Sequence, residues 1–185
     1  MTESPEHGGG PTDGGRNQDG PTRGRQAGID SGRAAVIALE PPRQDDVLDL
    51  LAQADAYLQA LYPPESNHIM DVAALEEGHV DFFVARHGSA ALGCCALVPA
   101  FDGSAEIKRM FVAPQARGIK LGRRLLACLE KQARQRGIAT LRLETGVRQP
   151  EALGLYRASG YRDIAPFGDY LPDPLSVFME KKLDT

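Results

Sequence analysis

The residues with the clearest chemical content lie between Arg117 and Gly122. The run Arg117-Gly118-Ile119-Lys120-Leu121-Gly122 leads straight into a pattern in which Leu121, Leu125, Leu129 and Ala133 recur at every fourth position. That is the signature of a helix with one apolar face, which Leu126 and Cys128 broaden. The first backbone N–H groups of a helix have no internal partner, and with the helix dipole they favour a bound anion. Gly118 and Gly122 open the approach to them, while Arg117, Lys120, Arg123 and Arg124 add positive charge. The combination suits a phosphate chain. The sequence has no GxxxxGK[ST] segment, which rules out a P-loop, and no GxGxxG fingerprint for a dinucleotide.

The distribution of charge supports a small anionic ligand over a nucleic acid. Residues 108–148 carry eleven Lys and Arg against Glu130 and Glu144, a net of +9, whereas residues 34–107 carry Arg43 and Arg86 against twelve acids, a net of −10. The whole chain is at −4, with an isoelectric point near 5.6, which argues against a nonspecific phosphate footprint. One basic segment beside a glycine-containing loop fits a small polyphosphate.

The loop needs a frame, and periodicity supplies one. Ala34–Leu39 reads as a first strand ending at Pro41-Pro42. Gln44 to Leu61 has Val47, Leu50, Leu51, Ala54, Leu58 and Leu61 at helical spacing, and Pro63-Pro64 stops it. The polar loop Glu65–His68 precedes a short helix at Asp71–Glu77. Val80–Arg86 and Ala90–Pro99 read as a hairpin, and Glu106–Val112 as the strand entering the basic loop. After the long helix ending at Gly137 come a strand at Ile138–Thr145, a helix from Pro150 to Gly160, and strands at Tyr161–Ile164 and Leu175–Lys181. Strand, helix and strand over 106–145 form a βαβ unit, so its two strands run parallel while the hairpin makes the sheet mixed. The fold class is α+β: a mixed central sheet with helices on both faces.

Composition divides the 185 residues in two. Residues 1–33 hold nine of the 20 glycines and only Met1, Ala27 and Ile29 from the hydrophobic set, so they read as a disordered arm. Residues 34–185 carry enough apolar residues for one core. No apolar run approaches the roughly 18 residues of a membrane-spanning helix, and the amino terminus lacks the apolar stretch of a signal peptide, so the expectation is a cytoplasmic protein with no membrane partner. Cys94, Cys95 and Cys128 are an odd number with no zinc-like spacing. Adjacent strand residues face opposite ways, so Cys94 and Cys95 read as buried thiols, and no metal is expected.

Two separated motifs resemble those of the GNAT superfamily of acyl-CoA-dependent N-acyltransferases. One is [Q/R]-x-x-G-x-[G/A] after a strand, present as Arg117-x-x-Lys120-x-Gly122; a helical φ at the central position would accept the lysine. The other is Asn-x-x-Ala-x-x-Leu-Tyr followed by Gly and an aromatic. It is present as Gln149-Pro150-Glu151-Ala152-Leu153-Gly154-Leu155-Tyr156, then Gly160-Tyr161. The likeness spans about residues 34–182. It extends to a bacterial subgroup with Glu65-Ser66-Asn67-His68 early and Pro166-Phe167-Gly168-x-Tyr170-x-x-Asp173-Pro174-Leu175-Ser176-Val177 late.

The resemblance implies acetyl-CoA as co-substrate and a primary amine of a small molecule or amino-acid-like compound as acceptor, attacked directly in a ternary complex. It implies that Met110, Phe111 and Val112 hold the thioester and pantetheine arm, that Arg117, Gly118, Ile119, Lys120, Leu121, Gly122 and Arg123 hold the pyrophosphate, and that Gln149 and Tyr156 stand beside them. Tyr156 matches the usual general acid at the CoA sulfur. Glu106, on the strand entering the loop, is the leading base or water relay, with Glu144 and His68 as competitors. Ser66, Asn67, His68, Glu144, Phe167 and Tyr170 are the acceptor-pocket candidates. Three alternatives stay open: a noncatalytic acyl-CoA-binding regulator, an enzyme acting on protein N-termini or lysines, and a nucleic-acid module built on the +9 segment. Self-association into a homodimer is also left open.

Overall fold

A computed structural model describes residues 35–184. The arm expected at 1–33 lies outside the described residues. The elements follow in chain order: β1 (Val36–Leu39), α1 (Asp45–Leu61), α2 (Val72–Leu75), β2 (Asp81–His87), β3 (Ala90–Pro99), β4 (Ser104–Val112), α3 (Leu121–Gln135), β5 (Thr140–Gly146), α4 (Pro150–Ala158), β6 (Arg162–Ile164) and β7 (Ser176–Lys182). Short 3-10 turns at Pro64–Ser66 and Pro114–Ala116 precede α2 and α3. The seven strands form one sheet in the order β1-β2-β3-β4-β5-β7-β6, and only β4 and β5 pair in parallel.

Each face of the sheet carries its own core, as the alternation of apolar residues requires. On one face α3 inserts Leu121, Leu125, Leu126, Leu129 and Ala133 against Cys95, Leu97, Ile107, Leu141, Leu143 and Met179, with Tyr156 of α4 at the margin. On the other, Val47, Leu50, Leu51 and Ala54 of α1 and Leu75 of α2 cover Phe82, Val84, Cys94, Ala96 and Phe111. Cys94 and Cys95 do enter opposite cores, and both are free thiols. Truncating one buried leucine of α3 to alanine would cost about 2–5 kcal/mol.

Local chemistry fixes the element ends that matter. Asp45 and Asp46 occupy the first turn of α1, where the dipole favours acids. Tyr62 takes extended angles (φ −132°, ψ 148°), as a residue before Pro63 must, and the helix stops there. Tyr161, expected to open a strand, instead donates its N–H to the Tyr156 carbonyl at 3.0 Å and closes α4, so β6 begins one residue later.

Two irregularities in β4 shape the site. Parallel pairing with β5 runs only from Ser104↔Thr140 to Ile107↔Leu143, after which β4 stays with β3 and β5 stays with β7. The two strands therefore splay and open a cleft. In the same stretch, Cys94↔Phe111 and Ala96↔Lys108 are partners, so β4 carries one extra residue. Arg109 absorbs this bulge with φ +54°, a conformation rare outside glycine. Its side chain is only 6% exposed and donates to Asp55 Oδ1 at 2.5 Å and the Leu51 carbonyl at 3.4 Å, so α1 holds the bulge in place.

Candidate active site

The cleft between β4 and β5 has a volume of about 160 Å³. Lys108, Arg109, Met110 and Phe111 form one side, and Glu144, Thr145 and Gly146 of β5 form the other. Beyond Ile107 the β4 edge facing this space has no β5 partner, so its backbone groups are available to a ligand. Gln149 and the α4 residues Ala152, Leu155 and Tyr156 also line the cleft, as do Tyr57, Tyr62 and the Ser66–His68 loop.

Tyr156 is 5% exposed, and its ring meets Tyr161 edge-on at 5.6 Å between centroids. Burial, with the nearby Cys95 thiol, pushes its hydroxyl well above the ordinary phenol range, so it holds its proton at any working pH. Gln149 precedes Pro150 at the start of α4. Its Oε1 accepts the Gly146 N–H at 3.0 Å, fastening α4 to the end of β5.

The basic loop follows directly from β4. Gly118 has φ +82°, and an added Cβ there would meet nothing. Lys120 is the N-cap of α3, with φ 61° and ψ 22° and no side-chain cap. A helical φ at Lys120 is therefore ruled out: the lysine occupies the left-handed conformation that the motif's glycine takes without strain. The first turn of α3 keeps its N–H groups open to an anion, and Lys120 and Arg123 are exposed beside it. Arg117 donates Nε–H to the Val112 carbonyl at 3.3 Å and lies over the Tyr57 ring at 5.4 Å. Arg124 faces away and donates to the Ala35 carbonyl at 2.5 Å.

Gly122 acts differently from expectation. A Cβ there would lie 3.3 Å from Leu155 Cδ2 and 3.7 Å from Val112 Cγ2, so this glycine brings α3 close to α4. Leu121 is fully committed to the core, and Ile119 is exposed. Residues of the loop thus offer backbone N–H groups and two cations, a donor set that fits a phosphate chain.

The acceptor candidates divide between two spaces. Ser66, Asn67, His68 and Glu144 line the cleft. Asn67 Nδ2 donates to the Tyr62 and Pro63 carbonyls at 3.1 and 3.2 Å, which shapes the loop. Phe167, Tyr170 and Glu106 line an adjoining cavity of about 610 Å³. There Glu106 Oε1 accepts the Tyr170 hydroxyl at 2.6 Å and pairs with Lys108 Nζ at 3.0 Å, while Lys108 also contacts the Tyr170 hydroxyl. Burial, then the adjacent Glu106 carboxylate, raises the Tyr170 hydroxyl above its ordinary range. Phe167 and Tyr170 stack with Phe178 at 5.9 and 5.2 Å, anchoring their loop to β7.

Three groups of the site escaped sequence reasoning: Tyr62, Ser176 and the Arg109–Asp55 pair. They depend on contacts that span 32 to 86 residues and carry no local signal.

Comparison with known proteins bears on the family and the fold. The Acetyltransferase (GNAT) family model matches residues 46–161. An IAA acetyltransferase of Azospirillum brasilense is 49% identical over 149 residues, covering 80% of this chain and 97% of that protein. The uncharacterized N-acetyltransferase YsnE of Bacillus subtilis is 35% identical over 123 residues, covering 65% and 82%. A Klebsiella pneumoniae structure ascribed to the acyl-CoA N-acyltransferases superposes with a TM-score of 0.69 at 39% identity, over 81% of this chain and 98% of that one. The PaiA N-acetyltransferase of Thermoplasma acidophilum, solved with coenzyme A, shares the fold with a TM-score of 0.63 at 17% identity, over 82% and 100%.

Proposed function

The chain belongs to the GNAT acetyltransferase family, and from that membership we propose that it moves an acetyl group from acetyl-CoA to a primary amine of a small-molecule or amino-acid-like acceptor by direct attack in a ternary complex. The observation that carries this reading is the splay of β4 from β5 after Ile107, which leads from the open N-terminus of α3 to the buried Tyr156 hydroxyl.

In this reading the pyrophosphate lies against the first turn of α3, with Gly118, Lys120 and Arg123 around it. The unpaired β4 edge at Met110 supplies a backbone N–H to the thioester carbonyl, where charge develops in the transition state. Tyr156 gives its proton to the departing sulfur. The kinship with an IAA acetyltransferase supports acetyl transfer as such and leaves the acceptor to experiment. The test is release of free thiol from acetyl-CoA across a panel of amines, with coenzyme A binding followed by calorimetry. Thiol release that depends on an amine supports the reading. Binding of coenzyme A without thiol release would mark an acyl-CoA-binding regulator instead.

A further inference from the structure

His68 is shared by both cavities: it lines the cleft with Tyr156 and the larger space with Glu106 and Tyr170. We propose that His68 Nε2 takes the proton from the attacking amine, that Glu144 is the residue positioning it, and that the body of the acceptor lies in the second cavity. This rests on the acetyl-transfer reading above and adds to it the base and the direction of approach.

The hydrogen bonds assign the tautomer. His68 Nδ1 lies 2.9 Å from Glu144 Oε1 and 3.1 Å from Oε2. An ionised carboxylate only accepts, so Nδ1 carries the hydrogen, and the lone pair of the neutral ring is left on Nε2. Glu144 is itself fixed, because the Ser176 hydroxyl donates to its Oε1 at 2.6 Å. The Glu144 side chain is 12% exposed and that of His68 39%, so the imidazole reaches an acceptor while the carboxylate behind it is shielded. Tyr170 holds the ring edge-on at 5.0 Å between centroids.

The groups around His68 are Glu144 on β5 and Tyr170 and Asp173 on the loop before β7, with Glu106 and Lys108 of β4 beyond Tyr170. Glu106 is the weaker candidate for the same role. It already accepts the Tyr170 hydroxyl and pairs with Lys108, and it faces the second cavity rather than the cleft that holds Tyr156.

The second cavity sets the acceptor's character. Phe167 and Tyr170 give it aromatic walls, and Asp102, Glu106 and Asp169 outnumber Arg142 there. Arg142 is bound by Asp102 at 2.8 Å and Glu180 at 3.0 Å. An amine on an apolar or cationic body fits this lining better than one bearing a carboxylate, which narrows the acceptor from amino-acid-like compounds toward simple amines.

The step balances without a further reactant. The neutral amine's lone pair forms the C–N bond at the thioester carbonyl as His68 Nε2 takes one nitrogen-bound proton. The C–S bond breaks, and the sulfur takes the Tyr156 proton. The imidazolium then returns a proton to the Tyr156 phenolate through solvent.

Three measurements test the proposal. The first is thiol release across pH with a single amine, so that the acceptor's own titration is common to every profile. His68→Gln should lower kcat by about 100-fold or more and remove from the acid limb the part that the acceptor's own titration does not supply, with the KM for acetyl-CoA little changed. Glu106→Gln should alter the acceptor KM but keep that limb. Second, imidazole added to His68→Ala should restore part of the lost rate, and should restore none in Glu144→Ala, where the ring is present but unheld. Third, nitrogen NMR of wild type should show the neutral His68 ring protonated at Nδ1. An acid limb as steep in His68→Gln as in wild type, loss of the enzyme's share of that limb in Glu106→Gln, or an Nε2–H tautomer would each overturn the proposal. If wild type released no thiol with any amine, the acetyl-transfer reading itself would fail, and the NMR result would still judge the His68–Glu144 arrangement.

Discussion

Gly146 lies directly against the Tyr62 hydroxyl: a β-carbon at position 146 would overlap Oη and Cζ of Tyr62 and come within 2.8 Å of its Cε2. The hydroxyl accepts the Arg148 N–H at 2.8 Å, and Arg148 Nη1 donates to the Leu61 carbonyl at 2.6 Å. The end of α1 is thereby fastened to the end of β5, across the floor of the cleft. Gly146→Ala should destabilise the fold by about 1–3 kcal/mol, since the Tyr62 ring cannot withdraw without losing that bond. In a Tyr62→Ala background the same substitution should cost far less. Denaturant midpoints of the two single variants and the double variant measure the coupling, and additive losses would separate the two residues.

Lys120 makes the second prediction. A non-glycine residue in the left-handed conformation bears about 1–2 kcal/mol of strain, and glycine gives part of that back through its freer unfolded chain. Lys120→Gly should therefore raise Tm by about 1–4 °C, while removing one cation from the phosphate loop. Coenzyme A binding should weaken, and its dependence on salt should become shallower. A lower Tm would mean that the lysine side chain contributes more to the fold than its backbone conformation costs.

The frame was legible because it rests on local periodicity. Val47, Leu50, Leu51 and Ala54 have helical spacing, and all four are buried on α1; Leu121, Leu125 and Leu129 behave likewise on α3. The loop and Tyr156 were legible because each stands in a short contiguous motif. The splay after Ile107 was not, because it reflects two strands choosing different neighbours. The extra residue at Arg109 is equally silent, since alternation in Glu106, Lys108 and Met110 runs through it unbroken. The His68–Glu144 bond joins residues 76 apart on a loop and a strand, so either could be named alone, but only the fold pairs them.

The cysteines should react unequally. Cys94 and Cys95 are fully buried, and burial pushes the Cys94 thiol up to about 12 and Cys95 above its ordinary range. Cys128 on α3 is partly exposed. A disulfide reagent at pH 8 should modify the folded protein at Cys128 alone, and all three cysteines in denaturant. Rapid native reaction at Cys94 would show that β3 opens. The result also sets the background for any thiol-release assay.

A chain beginning at Ala34 should melt within about 3 °C of the full chain, because residues 1–33 offer almost no apolar surface for a core. A substantially larger loss of Tm would show that the arm docks on the folded part.

Tyr156→Phe separates chemistry from packing. The ring packs in the core beside Tyr161, and phenylalanine keeps that contact, so the fold should survive with little change in Tm. What is lost is one O–H. A thiolate leaves tolerably well without a proton, so kcat should fall by about 10- to 1000-fold, while affinity for acetyl-CoA changes by less than about threefold. The pH profile gives an independent reading. Burial holds the hydroxyl protonated well past the ordinary phenol range, so wild type should show no loss of its acid on the alkaline side below pH 10. Full kcat in Tyr156→Phe, with an acceptor for which chemistry limits the rate, would leave Tyr156 as a packing residue and return protonation of the sulfur to solvent.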